Sequence, residues 1–319
     1  MTDKNLPEPP QHLSSEEFRE HGHALIDWIA DYWDRVENLP VMSQVTPGTI
    51  RDHLPSHAPE TGEPFENLIR DLDSVVMPGI THWQHPSWFA FFPANASPPS
   101  VLAELASAGL GVQGMLWSTS PAATEIESHV LDWLVDLLDL PTSWKTTEQG
   151  GGVLQMSASD STHTALVVAR HQAAKSGISP DSMVAYASTQ THSSIQKGAT
   201  VAGYGHVRLI DVDDDQAMRF EDLRVAIDQD RADGLSPIFV AATIGTTGTT
   251  GVDPIRSIGE ICRDENLWLH IDAAYAGNAM LCPEFRHHQD GVELADSYTF
   301  NPHKWLMVNF DCSVFYVAD

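Results

Sequence analysis

From Gly150 to the last residue, short β-branched or apolar runs alternate with helical periods, and no other feature constrains the fold as tightly. The runs GVLQM, MVAYAS, HVRLIDV, SPIFVAAT, LWLHIDAA, SYTFN and SVFYVA read as strands. Helical patterns separate most of them, over Ser159 to Lys175, Ser193 to Val201, RFEDLRVAIDQDRADG and DPIRSIGEICRDEN. Strands joined through helices lie parallel, and runs this apolar have to be covered on both faces. The expected class is α/β, with a mostly parallel central sheet between helical layers.

The first part of the chain has a different texture. Residues 1–13 are proline-rich and polar and are expected to be loosely ordered. Ser14 and Glu17 have capping-box spacing, and Pro40 lies beyond the end of the helix they open. Phe18, Leu25, Trp28, Ile29, Trp33 and Val36 share one face of that helix, which therefore has to dock on another surface. Short helices with proline punctuation follow, then helices around Pro99–Ala108 and Ala122–Leu140. The division expected is a helical segment over 1–97 and a large domain over 98–319.

Composition excludes some functions. A formal charge of -27 with no basic cluster argues against nucleic acid and against anionic membrane surfaces. The three cysteines, Cys262, Cys282 and Cys312, form neither a disulfide framework nor a zinc knuckle. No signal-peptide pattern opens the chain and no apolar run is long enough to span a bilayer. A small-molecule substrate and a reducing, cytoplasmic setting are expected.

Gly109, Gly111 and Gly114 spell G-x-G-x-x-G, but a helix precedes them where a dinucleotide loop needs a strand, so they read as a helix end and turn. The acidic run Asp211 to Asp215 lacks the glycine and distal glutamate of a calcium loop, and the histidines of THWQHP and RHH do not have i, i+4 helical spacing with a nearby acid. No metal is expected. Three other places are more informative. Ser157 and Ser159 stand where a strand gives way to a helix; its first turn suits a phosphate, although Ser159 or Asp160 could equally be an N-cap. Asp272 ends an apolar strand and needs a cation, which a salt bridge or a protonated pyridine could supply. Lys304 stands among apolar neighbours, either snorkelling over Trp305 or desolvated into a nucleophile for Schiff-base chemistry. Together the three satisfy one ligand, pyridoxal 5′-phosphate.

The motifs NPHKW, HIDAAYAG, CPEFRH, THSSIQKGA and THWQHPSWFAFFP resemble the pyridoxal-phosphate-dependent group II decarboxylases, and within them the aromatic-L-amino-acid decarboxylases. The resemblance runs from about Phe18 to the last residue. It implies the type I aminotransferase-like fold, a homodimer with active sites at the interface, and decarboxylation of an aromatic L-amino acid to its amine through a Schiff base on Lys304. By the same resemblance Asp272 pairs with the pyridine nitrogen, Ala274 and His192 flank the ring, and His192 also lies near the substrate carboxylate. Ala158, Ser159, Asn301 and His303 hold the phosphate, and Thr247 lies near the cofactor. Trp83, Phe91, Phe92 and Pro93 resemble a substrate wall, with Gln113 and Met115 reaching in from a partner subunit. The N-terminal helix is expected to dock on that partner.

Two departures follow from the comparison. Phe91 and Ala94 stand where animal members carry tyrosine and threonine, so apolar rings such as those of tryptophan or phenylalanine are expected to be favoured over catechols. The chain stops at Asp319, before the mobile loop and small C-terminal domain that the resemblance implies. The alternatives are therefore a weakly active or inactive fragment that binds the cofactor and dimerises, or an aromatic aldehyde synthase on the same cofactor. His192 speaks against the synthase.

Overall fold

The computed structural model describes residues 12–319, so the expectation for the first eleven residues lies outside the described part. Contacts divide the chain into one unit ending at Ala90 and another covering Phe91–Asp319. The boundary falls before the expected 97/98 division because the intervening residues pack with the later unit. The Ser97 N–H donates to the Met307 carbonyl at 2.9 Å, and Phe92 stacks on Phe310 with ring centroids 5.5 Å apart.

The first unit is helical: α1 (Ser15–Arg35), α2 (Thr49–His53), α3 (Phe65–Asp71) and α4 (Met77–Gly79). The capping box forms as expected. The Glu17 N–H donates to Ser14 Oγ at 3.2 Å, and the Ser14 N–H donates to Glu17 Oε2 at 2.8 Å. Trp28 and Arg35 both donate to Asp73, and Tyr32 meets His82 at 3.0 Å. Even so, no residue of α1 is buried and Phe18 is 61% exposed. Its apolar face is only partly covered.

The second unit opens with α5 (Pro98–Leu110) and α6 (Pro121–Leu138). Gly111, the middle glycine of the G-x-G-x-x-G string, caps α5 in the left-handed region at φ 61°, a helix end as the sequence implied. Then strands β1 (Gly151–Gln155), β2 (Met183–Ser188), β3 (His206–Ile210), β4 (Ser236–Thr243), β5 (Trp268–Asp272), β6 (Ser297–Phe300) and β7 (Ser313–Val317) alternate with helices. Those helices are α7 (Ala158–Lys175), α8 (Ser194–Ala202), α9 (Phe220–Ala232) and α10 (Ile255–Glu265), with the single turn α11 (Pro302–Trp305) after β6.

The sheet order is β1-β7-β6-β5-β4-β2-β3. Only β7 runs against the others. Every residue of β2, β5 and β6 is buried, which explains why these runs read as unbroken apolar stretches rather than alternating ones. One core, with Leu131, Tyr186, Leu269 and Tyr298, fills one face of the sheet; a second, with Leu166, Ile195, Ala241 and Phe315, fills the other. The ends of β4, β5 and β6 are level, since Thr243 pairs with Asp272 and Asp272 with Thr299. Parallel strands present their carboxyl ends together, and there a cavity opens.

Candidate active site

The cavity is about 210 Å³ and lies wholly within the second unit. At its floor, Asp272 is 5% exposed, and its Oδ1 accepts the Ala274 N–H at 3.0 Å. Among the described residues no cation lies within 4 Å of this carboxylate. Such a charge, removed from water with one backbone donor, is a costly arrangement unless a ligand completes it.

Lys304 faces the same cavity from α11, where Pro302 fixes the first helical position. Burial pushes its ammonium below the usual lysine range, and the charge of Asp272 offsets part of that shift. Its Nζ lies 5.4 Å from the centre of the Phe92 ring. The snorkelling alternative does not hold, because the amine is directed inward. Neighbouring His303 is 4% exposed, accepts the Cys312 N–H on Nδ1 at 3.0 Å, and is held below the usual imidazole range by burial and then by Lys304.

One side of the cavity is the start of α7. Ser157, not Ser159 or Asp160, is the N-cap: its Oγ accepts the Asp160 N–H at 3.2 Å. That corrects the capping alternative and leaves the N–H groups of Ala158 and Ser159, which have no acceptor inside the helix, beside the cavity. His192 stands at the entrance to α8, its Nδ1 accepting the Ser194 N–H at 3.2 Å, so its neutral form carries the proton on Nε2. Asn301 Oδ1 and Thr243 Oγ1 are buried among the lining residues without a hydrogen-bond partner. Buried polar atoms need partners, and these two lie where a ligand in the cavity can supply them.

Of the residues expected from the sequence, Lys304, Asp272, His192, Ala158, Ser159, Thr247, Ala274, Asn301, His303, Phe91 and Phe92 all line this cavity. Pro93, Gln113 and Met115 do not; Met115 is 71% exposed on the loop after α5. Trp83 belongs to the first unit, where its ring stacks with Trp88 at 5.1 Å. Sequence reasoning missed Met156, Thr243, Gly245, Tyr275, Phe310 and Asp311. Thr243 could have been found as the polar end of an apolar strand. Gly245 has φ +80° and a Cβ there would meet the Ala276 Cβ at 2.6 Å, so only glycine lets this loop close on the cavity.

Residues 47–319 match the pyridoxal-dependent decarboxylase conserved domain. The chain is 44% identical to the phenylacetaldehyde synthase of Arabidopsis thaliana over 96% of its own length and 64% of that protein's. It is likewise 44% identical to the aromatic-L-amino-acid decarboxylase of Rattus norvegicus, over 96% of this chain and 66% of that one. Among solved structures it is similar to Catharanthus roseus tryptophan decarboxylase in complex with L-tryptophan, with a TM-score of 0.93, 42% identity, and coverage of 96% of this chain and 67% of that one. The chain thus spans about two thirds of the length of these relatives, and over that span it belongs to the pyridoxal-dependent decarboxylase family.

Proposed function

We propose that this chain forms the cofactor-binding part of a decarboxylase that converts an aromatic L-amino acid to its amine and carbon dioxide, with pyridoxal 5′-phosphate held in the cavity. The observation that carries this reading is a part-buried amine, Lys304, and a buried carboxylate, Asp272, facing one small space with no ion-pair partner among the described residues. The residues present fit the cofactor. Asp272 supplies the anion for a pyridine nitrogen, Ala274 and His192 the two ring faces, and Lys304 the amine for its carbonyl. The N–H groups of Ala158 and Ser159 would supply donors for its phosphate, with Asn301, His303 and Thr247 lining the same cavity. When bound, this group supplies an electron-accepting ring for the bond that breaks at Cα.

The chain's own residues prepare that chemistry. The lowered pKa of Lys304 raises the fraction of free amine, the nucleophilic form. Asp272, fixed by the Ala274 N–H, holds a proton on a ring nitrogen at the site where negative charge develops. His192 offers Nε2–H toward a substrate carboxylate. Phe91, Phe92 and Phe310 give the cavity an apolar wall on which a flat side chain can stack, and among the described residues no arginine lines it to receive an acidic one.

A second reading, aldehyde formation, is favoured by the equal identity to a phenylacetaldehyde synthase. Mixing the purified chain with the cofactor and with tryptophan, phenylalanine or dihydroxyphenylalanine, then identifying products by mass, separates the two. Amine supports the decarboxylase; aldehyde with peroxide supports the synthase. Bound-cofactor absorbance without product leaves a binder only, and no absorbance overturns the proposal. The apolar wall favours tryptophan or phenylalanine.

Assembly as a homodimer is part of the same proposal. Leu102, Leu105 and Leu110 on α5 and Met115, Leu116 and Trp117 after it are each about half exposed or more, apolar surface that a second copy would cover. Among the described residues no helix is long and apolar enough to cross a membrane. The three cysteines are unpaired, which supports a reducing, cytoplasmic setting. Sedimentation of the chain and of Leu105→Asp tests the dimer; a parent that sediments as a monomer ends it.

A further inference from the structure

Beneath the cavity, on the face of the sheet covered by α7, lies a hydrogen-bonded chain that the chemistry above does not use. His270 is 0% exposed and precedes Asp272 by two residues on the same face of β5. Its Nδ1 lies 2.9 Å from Ser297 Oγ on β6, and its Nε2 lies 3.3 Å from Thr162 Oγ1 on α7. Trp268 Nε1 donates to the same Ser297 Oγ at 2.9 Å. The Phe239 ring stacks on the imidazole with centroids 6.0 Å apart, and Phe315 closes its other side at 6.3 Å. The ring is held on both nitrogens and both sides.

The two arms of this bridge lead to the two ends of the proposed cofactor. Along β5, two residues beyond His270, or about 6.6 Å, comes Asp272. Along α7, which runs antiparallel to β5, three and four residues before Thr162, or about 4.5–6 Å, come Ser159 and Ala158. Both steps lead toward the same edge of the sheet. We propose that His270 is a positioning residue whose bridge to Thr162 sets the distance between the first turn of α7 and Asp272, and so between the cofactor's phosphate and its ring nitrogen.

This rests on the proposed function for its ligand, though not for its geometry. Among the described residues Asp272 is the charged group that acts on the imidazole, and burial outweighs it, lowering the His270 pKa to about 4. The imidazole is neutral at physiological pH and forms no ion pair with Asp272, whose charge stays available to a ligand. A phenylalanine would fill the same space, so packing alone does not account for a histidine here. Desolvating an imidazole is unfavourable, and its two hydroxyl partners join three elements that apolar contact would leave free to slide.

The test uses the cofactor-free chain, titrated by fluorescence with pyridoxal 5′-phosphate and, in parallel, with pyridoxal. Thr162→Val keeps the shape and removes the bridge. It is expected to weaken the phosphate ester about tenfold, the scale of one buried hydrogen bond, and to leave pyridoxal within about twofold. Thr162→Ser and His270→Gln, which can still span the gap, should restore the parent's affinity; His270→Phe should repeat the loss. Parent-like binding by Thr162→Val, or equal loss of both ligands, overturns the proposal. Hydrogen exchange of the Ser161 to Ala165 amides, measured without ligand, decides independently. Exchange about tenfold faster in Thr162→Val, with α8 unchanged, supports the bridge, and unchanged exchange overturns it. A parent chain that binds neither ligand overturns the proposed function, and the exchange result still settles the bridge.

Discussion

At the β2–β3 edge, Asp230 is 3% exposed and fully partnered. Arg208 donates to it through Nη2 at 2.7 Å and Nε at 3.1 Å, and the Tyr186 hydroxyl donates at 2.8 Å. At the level ends of β4, β5 and β6, Asp272 is 5% exposed and receives one backbone N–H, while the nearby side-chain oxygens of Asn301 and Thr243 have no hydrogen-bond partner. Both are buried acids, Asp230 on α9 and Asp272 at the end of β5. The first is closed, and its parts serve only one another. The second is left open, at a cost in stability that only a ligand can offset. A buried charge indicates structure when its hydrogen bonds are complete and a site when they are not.

Substitutions can break this contrast from either side. Lys304→Ala should have the largest effect, lowering turnover by about a thousandfold or more and abolishing the absorbance of bound cofactor, with no fall in melting temperature. Retained absorbance would sink the assignment of this amine. Next comes a crossed pair. Asp230→Ala should destabilise the chain by about 2–3 kcal/mol, less than a fully buried pair because Arg208 is still partly in water. Asp272→Asn should leave the ligand-free chain as stable as the parent or more so but lower turnover by about 10²–10³. Urea unfolding and rate assays on both variants read this out, and equal destabilisation by the two would erase the distinction.

Acid should sharpen the contrast. The His270 pKa falls from 6.5 to about 4 through burial. Between those values the unfolded chain takes up a proton that the folded chain refuses. Stability from this group is therefore present above pH 6.5 and lost as pH falls toward 4. The loss is up to about 3 kcal/mol. Asp253, its pKa pushed up from 3.8 to about 6 by burial, acts oppositely, costing stability as pH rises through that range. Between about pH 4 and 6.5 the slope of unfolding free energy against pH should thus be more negative in His270→Phe than in the parent. A steep acid loss that survives this substitution would refute the assignment. The smallest effect expected is a shift of about threefold toward hydroxylated rings in Phe91→Tyr, measured as the ratio of rates on dihydroxyphenylalanine and phenylalanine.

Much of the site was legible before any coordinates. Asp272 stood out as a charge ending an apolar strand, Lys304 as an amine among core residues, and the small residues before α7 as a phosphate-suited turn. Each conflicts with ordinary burial rules, and such conflicts can be read one residue at a time. Other features could not be found that way. That Ser157 rather than Ser159 caps α7 depends on backbone angles at the turn. Phe310 and Asp311 reach the cavity along a loop with no periodicity, so no pattern announced them. Gln113 and Met115 lie outside the cavity of their own chain, and their expected role depends on a second copy.

Taken alone, the amino-acid order determined the alternation of strand and helix, the coverage of both sheet faces and the three residue types that answer a phosphate, a ring nitrogen and a carbonyl. These follow from local hydrophobic period and from side-chain chemistry, which any stretch of chain carries with it. Only the tertiary structure decided that Thr243, Asp272 and Thr299 finish level, that Asp272 stays without a cation while Asp230 gains one, and that His270 spans to Thr162. Those outcomes depend on strand register and on packing between residues far apart in the chain, and neither is written in a local pattern.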